Sequence, residues 1–161
     1  MEMEPRVEAT QLPELTLLGY ARRVPAPGPG PVQAIGEFWD EFLAGGLAAR
    51  LPDSVIPGLL LGACWNEQPD GRFDYLIGVP VRTEAQAGAD QVRLELPAAR
   101  YLRCTVRGPK AEAIPAGFHW LFREWLPGSG LRVAPGACLE WYDHRAEADA
   151  EAEVDLFVPI Q

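Results

Sequence analysis

Residues 73–81 read Phe-Asp-Tyr-Leu-Ile-Gly-Val-Pro-Val, and residues 153–160 read Glu-Val-Asp-Leu-Phe-Val-Pro-Ile. Both are apolar runs of strand length. The second ends on Val158-Pro159-Ile160, an echo of Val79-Pro80-Val81 in the first. Proline removes a ladder donor, so Pro80 and Pro159 are expected at sheet edges or strand ends.

The segments leading to these runs also match. Ahead of 73–81 lie a strand at 15–24, a stiff proline-rich loop at 25–31, a helix at 32–43, a strand at 58–65 and a Pro-Asp-Gly turn within 66–72. The helix carries Ile35, Phe38, Trp39 and Phe42 at three- and four-residue spacing, and Gly45-Gly46 stops it. Ahead of 153–160 lie a strand at 99–107, a helix at 114–126 with Phe118, Leu121, Phe122 and Trp125 on its buried side, and a strand at 137–143. Residues 91–96 add a strand between the units. The first ten residues are polar and expected to be loose, with order beginning near Glu14.

The chain therefore reads as one domain, 1–161, built from two βαββ units at about 15–81 and about 99–160. Aligning Trp65 with Tyr142 and Pro80 with Pro159 gives offsets of 77 and 79 residues, a two-residue loop difference that sets Ala63 against Glu140. The period is longer than that of solenoid repeats and indicates one duplication. The expected fold is α+β: duplicated βαββ units with pseudo-twofold symmetry, an antiparallel sheet, two main helices, and a ligand cleft on the axis.

Residues 137–143, Ala-Cys-Leu-Glu-Trp-Tyr-Asp, place a carboxylate in a strand made for burial. Alternation puts Glu140 and Tyr142 on one face, Leu139 and Trp141 on the other. Such a charge either meets water or sits in a cavity where a cation or a donor satisfies it. The duplication brings Trp65 to the same axis. Phe118 and Trp125 are assigned to the core. Trp39 and Trp120 are assigned to the ligand, because five tryptophans exceed what a small core needs and cation–π contact is a use for the surplus.

Composition narrows the function classes. A formal charge of −9, with acids concentrated between Glu140 and Asp155, argues against nucleic acid and for a cationic partner. The alternating Ala and acid run at 145–152 reads as a solvated loop. Cys64, Cys104 and Cys138 lack CxxC spacing and read as reduced core thiols. Two histidines without a ligand pattern make a metal site improbable, and no cofactor is expected. Ser54 and Ser129 sit in loop sequence and are poor nucleophile candidates. The N-terminus has acids where an export signal would carry bases, and no apolar stretch reaches membrane-spanning length. A cytoplasmic protein without a membrane partner is expected.

Seven segments in order carry a resemblance: Ile35-Gly36-Glu37-Phe38-Trp39, Trp65-Asn66-Glu67-Gln68-Pro69, residues 73–81, Ala99-Arg100-Tyr101, Glu124-Trp125-Leu126, Cys138-Leu139-Glu140-Trp141-Tyr142 and residues 154–160. Together the chain resembles the GyrI-like effector-binding domains, which also occur at the end of AraC-type and MerR-type multidrug regulators. The resemblance implies an aromatic pocket on the pseudo-twofold axis whose acidic residue, matched by Glu140, meets cationic or hydrophobic ligands. Ligand contacts are then expected from Glu140, Tyr142, Trp65, Trp39, Tyr75 and Trp120. Trp65 stands where relatives often have Tyr, which keeps an aromatic wall and loses a hydroxyl. Residues before Leu15 cannot form a helix-turn-helix, so a free-standing member is expected.

Three readings follow. The preferred one is a module that binds cationic or amphipathic aromatic small molecules for sensing or sequestration. The second is a hydrolase that opens strained rings of cytotoxic natural products, as some free-standing relatives do, with Glu140 as acid or base and Tyr142 as its hydrogen-bond partner. The third is a gyrase-inhibitor-like protein-interaction role.

Overall fold

The computed structural model describes residues 5–25 and 30–161. Most of the expected proline-rich loop at 25–31 lies outside the described residues. The elements are β1 (Arg6–Leu12), β2 (Leu15–Val24), α1 (Gly30–Ala44), β3 (Leu60–Trp65), β4 (Phe73–Val81), β5 (Val92–Leu96), β6 (Ala99–Arg107), α2 (Lys110–Trp120), β7 (Cys138–Tyr142) and β8 (Glu153–Pro159). All eight strands join one antiparallel sheet in the order β1-β6-β8-β7-β3-β4-β2-β5.

That order is a palindrome about the β7–β3 pair. In each half the first strand pairs with the last, the last with the middle one, and the two middle strands meet at the centre. β5 extends one half and β1 the other.

The sheet is rolled. β5 lies at one end of the order and β6 next to the other end, yet Pro97 and Ala98 alone separate them in sequence. Three Cα steps reach at most about 11 Å, so the two ends of the sheet must approach each other there. The inner face is filled by strand residues, among them Leu17, Leu96, Tyr101, Leu139 and Phe157. Both helices lie on the outer face. Phe38 and Phe42 of α1 pack on Tyr20, Tyr75 and Ile77, and Ile114 of α2 and the following Leu121 pack on Cys104, Val106 and Leu156. Burying each large apolar side chain contributes about 1.5–3 kcal/mol.

The strand limits at 73–81 and 99–107 are as the sequence pattern predicts. Pro80 and Pro159 both stand where their strand has lost one neighbour. Pairing of β3 with β4 stops at Gly78, and pairing of β7 with β8 stops at Phe157.

Four expectations need correction. First, residues 6–12 are not loose: β1 pairs along its whole length with β6, and backbone hydrogen bonds hold this edge strand although only Val7 and Leu12 reach the core clusters. Second, α2 begins four residues earlier than expected, at Lys110 after Pro109.

Third, the inward stripe of α2 was misplaced by one residue. Ile114, Gly117 and Leu121 are buried, Phe118 and Trp125 are half-buried, and Phe122 is exposed. Gly117 is invisible to an apolar pattern, yet it is the point of closest approach: a Cβ there would sit 2.5 Å from Val106 Cγ1 and 2.9 Å from Leu156 Cδ1. Beyond Trp120 the helix widens into a π turn, Leu121–Trp125, before its last turn.

Fourth, the register pairs Gly62, not Ala63, with Glu140, and Ala63 with Leu139. Ala63 and Glu140 therefore point to opposite faces. An axis through the sheet keeps equivalent residues on one face, so the offset in this strand is 78: Gly62 corresponds to Glu140 and Cys64 to Tyr142. A slip of one residue exchanges the faces of a whole strand.

Candidate ligand-binding site

The site lies on the outer face, over the β3–β7 pair and between the two helices. There a cavity of about 760 Å³ opens to solvent. Its walls repeat the duplication. Pro31, Val32, Ile35, Gly36 and Trp39 on α1 answer, at the Pro80-to-Pro159 offset of 79, to Lys110, Ala111, Ile114, Pro115 and Phe118 on α2, and all ten line the cavity. Trp39 and Phe118 are thus symmetry partners facing one another across the axis. The floor includes Leu60, Cys64, Glu140 and Tyr142.

Glu140 is 5% exposed and is held by two phenols. Tyr75 donates to its Oε1 at 2.6 Å and Tyr142 donates to the same oxygen at 2.5 Å. Trp39 Nε1 in turn donates to Tyr75 Oη at 2.9 Å, and its ring stands edge-on to Tyr142 with centroids 4.9 Å apart. Oε2 has no donor among the described residues and is not sealed in protein. Nor does Glu140 enter any ion pair formed by the described residues.

Burial raises the Glu140 carboxyl above the ordinary carboxylate range, and the two tyrosine hydrogen bonds oppose that rise. Tyr75 and Tyr142 are pushed well above the usual phenol range, by burial first and by the Glu140 charge second. Both remain donors at any ordinary pH. The result is a desolvated carboxylate on the cavity lining, with one oxygen held by two phenols and the other without a donor among the described residues.

Gly62 makes this arrangement possible. It lies directly opposite Glu140, and the space its missing Cβ leaves is where the Tyr75 hydroxyl meets the carboxylate. A Cβ would fall 2.7 Å from Glu140 Oε1 and closer still to Tyr75 Oη.

Further acids surround the opening: Asp40, Asp143, Glu147 and Asp149. Lys110, also in the lining, donates from Nζ to the Ala146 carbonyl at 2.7 Å and lies 3.6 Å from Asp149. Arg145 clamps the loop between β7 and β8 by pairing with Asp143 and with Asp155, whose Oδ1 also accepts from Thr105. Val32 and Leu43 stay exposed and add apolar surface at the opening.

Of the six residues expected to contact a ligand, Glu140, Tyr142 and Trp39 line the cavity. Tyr75 is fully buried beneath it and reaches the site through Glu140. Trp65 and Trp120 are corrected. Trp65 points to the inner face with Ala63 and Leu139, a consequence of the register. Trp120, two residues past Phe118, turns away from the cavity around α2 and packs on that helix's own cluster. Cys64, Ile35, Ile114, Lys110 and Phe118 also line the cavity, beyond the six expected residues. Carrying the 79-residue offset through the helices would have found the last four with their partners.

No helix among the described residues is long and apolar enough to cross a membrane, and no group of three or more His, Cys, Asp or Glu among them could hold a metal ion.

Among known proteins, the chain is 30% identical over 135 residues to the transcriptional regulator BrlR of Pseudomonas aeruginosa, covering 83% of this chain and 48% of BrlR. It is 29% identical over 90 residues to a DNA gyrase inhibitor of Erwinia billingiae, covering 55% of this chain and 57% of that protein. The chain spans about half the length of these two relatives. Its fold matches SAV2435 bound to tetraphenylphosphonium with a TM-score of 0.75 at 22% identity, over 99% of this chain and 94% of that one. It matches a hydrolase from Listeria innocua with a TM-score of 0.54 at 16% identity, over 98% and 93%. Residues 8–160 match the family described as Cass2, integron-associated effector-binding protein. With its duplicated halves and its cavity on the axis between them, the chain belongs to this effector-binding family.

Proposed function

We propose that the cavity binds an aromatic or amphipathic organic cation. The observation that carries this reading is Glu140: a buried carboxylate that lines a largely apolar cavity and has, among the described residues, neither a cationic partner nor a donor on Oε2. A desolvated charge of this kind is costly alone, and a soft cation that brings little hydration of its own offsets that cost. Aromatic substituents on the ligand would meet Trp39, Phe118 and Tyr142, and the acids at the opening would raise the local cation concentration. The ligand seen in SAV2435, tetraphenylphosphonium, has this chemistry.

Titration with tetraphenylphosphonium followed by tryptophan fluorescence tests the proposal, because Trp39 lines the cavity. Saturable quenching that a neutral aromatic of the same size produces only weakly is expected. Equal affinity for the cation and the neutral compound would overturn the reading.

A second reading, hydrolysis of a strained ring, is favoured by one observation: Glu140 and Tyr142 line the cavity together and are hydrogen-bonded, and burial that raises the carboxyl above the ordinary range suits a group that gives up a proton. Turnover that disappears in Glu140→Gln would support it. Binding without turnover of ring-strained electrophiles would leave the module reading.

A further inference from the structure

Cys64 on β3 and Cys138 on β7 are direct partners in the register, both with free thiols, and their side chains point to the cavity face together with Glu140. Directly opposed residues of an antiparallel pair have Cα atoms about 4.5–5.5 Å apart, inside the range that a disulfide bridges. The two thiols also come from different halves. Cys64 packs with the cluster under α1 and Cys138 with the cluster under α2, and the β3–β7 ladder is the strand pairing that joins those halves.

We propose that Cys64 and Cys138 form a dithiol that a peroxide oxidises to a disulfide, stapling the two halves across the floor of the cavity. Cys64 lines the cavity, so a small oxidant reaches it from there. Its sulfur attacks the peroxide O–O bond, giving a sulfenic acid and one water. The Cys138 sulfur then attacks the sulfenic sulfur, forming the S–S bond and releasing a second water. In all, two thiols and one hydrogen peroxide give one disulfide and two waters, with the sulfurs oxidised and the peroxide reduced.

Burial and the neighbouring Glu140 charge keep both thiols protonated; Cys64 is raised well above its ordinary value and Cys138 to about 12. Thiolate is the attacking form, so the reaction is slow at neutral pH and accelerates as pH rises. The pair acts as a staple set by sustained oxidising conditions rather than as a fast sensor. Cys104 belongs to the cluster that Cys138 packs on but lies on β6, two strands from β7 and three from β3, and serves as the internal control.

The test is peroxide treatment of the purified protein, peptide mapping without reductant, and thermal melting before and after dithiothreitol. The expected product has lost the mass of two hydrogen atoms, contains a Cys64–Cys138 linked peptide and melts roughly 10 °C higher, because the link closes a long loop. Cys104→Ser should behave like the parent, and Cys138→Ser should gain neither the link nor the melting shift. Separate sulfinic acids, a link through Cys104, a link between two copies, or full Cys64–Cys138 linkage without a melting shift would each overturn the proposal. The mapping of the unaltered protein stands even if a variant folds poorly.

Discussion

Replacing Gly62 by alanine adds one methyl group at the point where the two tyrosines and the carboxylate converge. The new Cβ would stand 3.0 Å from Tyr75 Cζ, 2.7 Å from Glu140 Oε1 and closer to Tyr75 Oη. Tyr75 is fully buried and its ring is fixed edge-to-face on Phe38, with centroids 6.3 Å apart, so the hydroxyl cannot swing aside. Overpacking a core of this kind costs about 1–3 kcal/mol. Loss of the Tyr75 hydrogen bond to a charged oxygen costs about 1.5–3 kcal/mol more. The expected destabilisation is about 3–5 kcal/mol, or roughly 10 °C in melting temperature for a chain of this size. Urea unfolding followed by tryptophan fluorescence measures it. If the clash with the hydroxyl is the cause, Tyr75→Phe should cost less in the Gly62→Ala background than in the parent, so the pair should couple in a double-mutant cycle. A Gly62→Ala protein within 1 kcal/mol of the parent, or strictly additive effects, would refute the reasoning.

Two further outcomes are expected. Because the folded pKa of Glu140 is raised, the native state binds a proton that the unfolded state releases first. Stability should fall as pH rises from the unfolded carboxylate value through the folded one, then level off. Glu140→Gln should flatten that slope, and urea midpoints across mildly acidic to neutral pH show whether it does. On α2, Gly117→Ala should destabilise by about 1–3 kcal/mol through contact with Val106 and Leu156, whereas Gly36→Ala, with open space around its Cβ position, should fall within about 0.5 kcal/mol of the parent; chemical denaturation distinguishes them.

Much of the architecture was legible because it is written in periodicities. The spacing of Phe38 and Phe42 marks the buried face of α1, and the echo of Val-Pro-Val marks the duplication. Glu140 stood out because a carboxylate in an apolar strand requires a reason. What was hidden depends on single residues of register. Motif offsets of 77 and 79 do not decide between neighbouring alignments, yet in a strand one residue separates the cavity from the inner face, and this is why Trp65 was misplaced. On α2 the same error arose from a glycine. With Gly117 unread, Phe118 took the place of Phe38 in the pattern, when its counterpart is Trp39. β1 is hard to read because only Val7 and Leu12 turn to the core, too few for an apolar pattern, and backbone hydrogen bonds to β6 supply the rest of its hold. The role of Gly62 depends on an absent Cβ, and sequence shows a glycine without showing what occupies its space.

The central claim is that a charge, Glu140, selects the ligand, and the direct measurement is calorimetric titration of the parent and Glu140→Gln with tetraphenylphosphonium and with neutral triphenylphosphine oxide. A charge-assisted contact is worth about 1.5–3 kcal/mol, so the variant should bind the cation about ten- to a hundredfold more weakly. Binding of the neutral compound should change by less than about threefold, and the parent's affinity for the cation should rise with pH as Glu140 ionises. A Glu140→Gln protein that binds the cation as tightly as the parent would contradict the account.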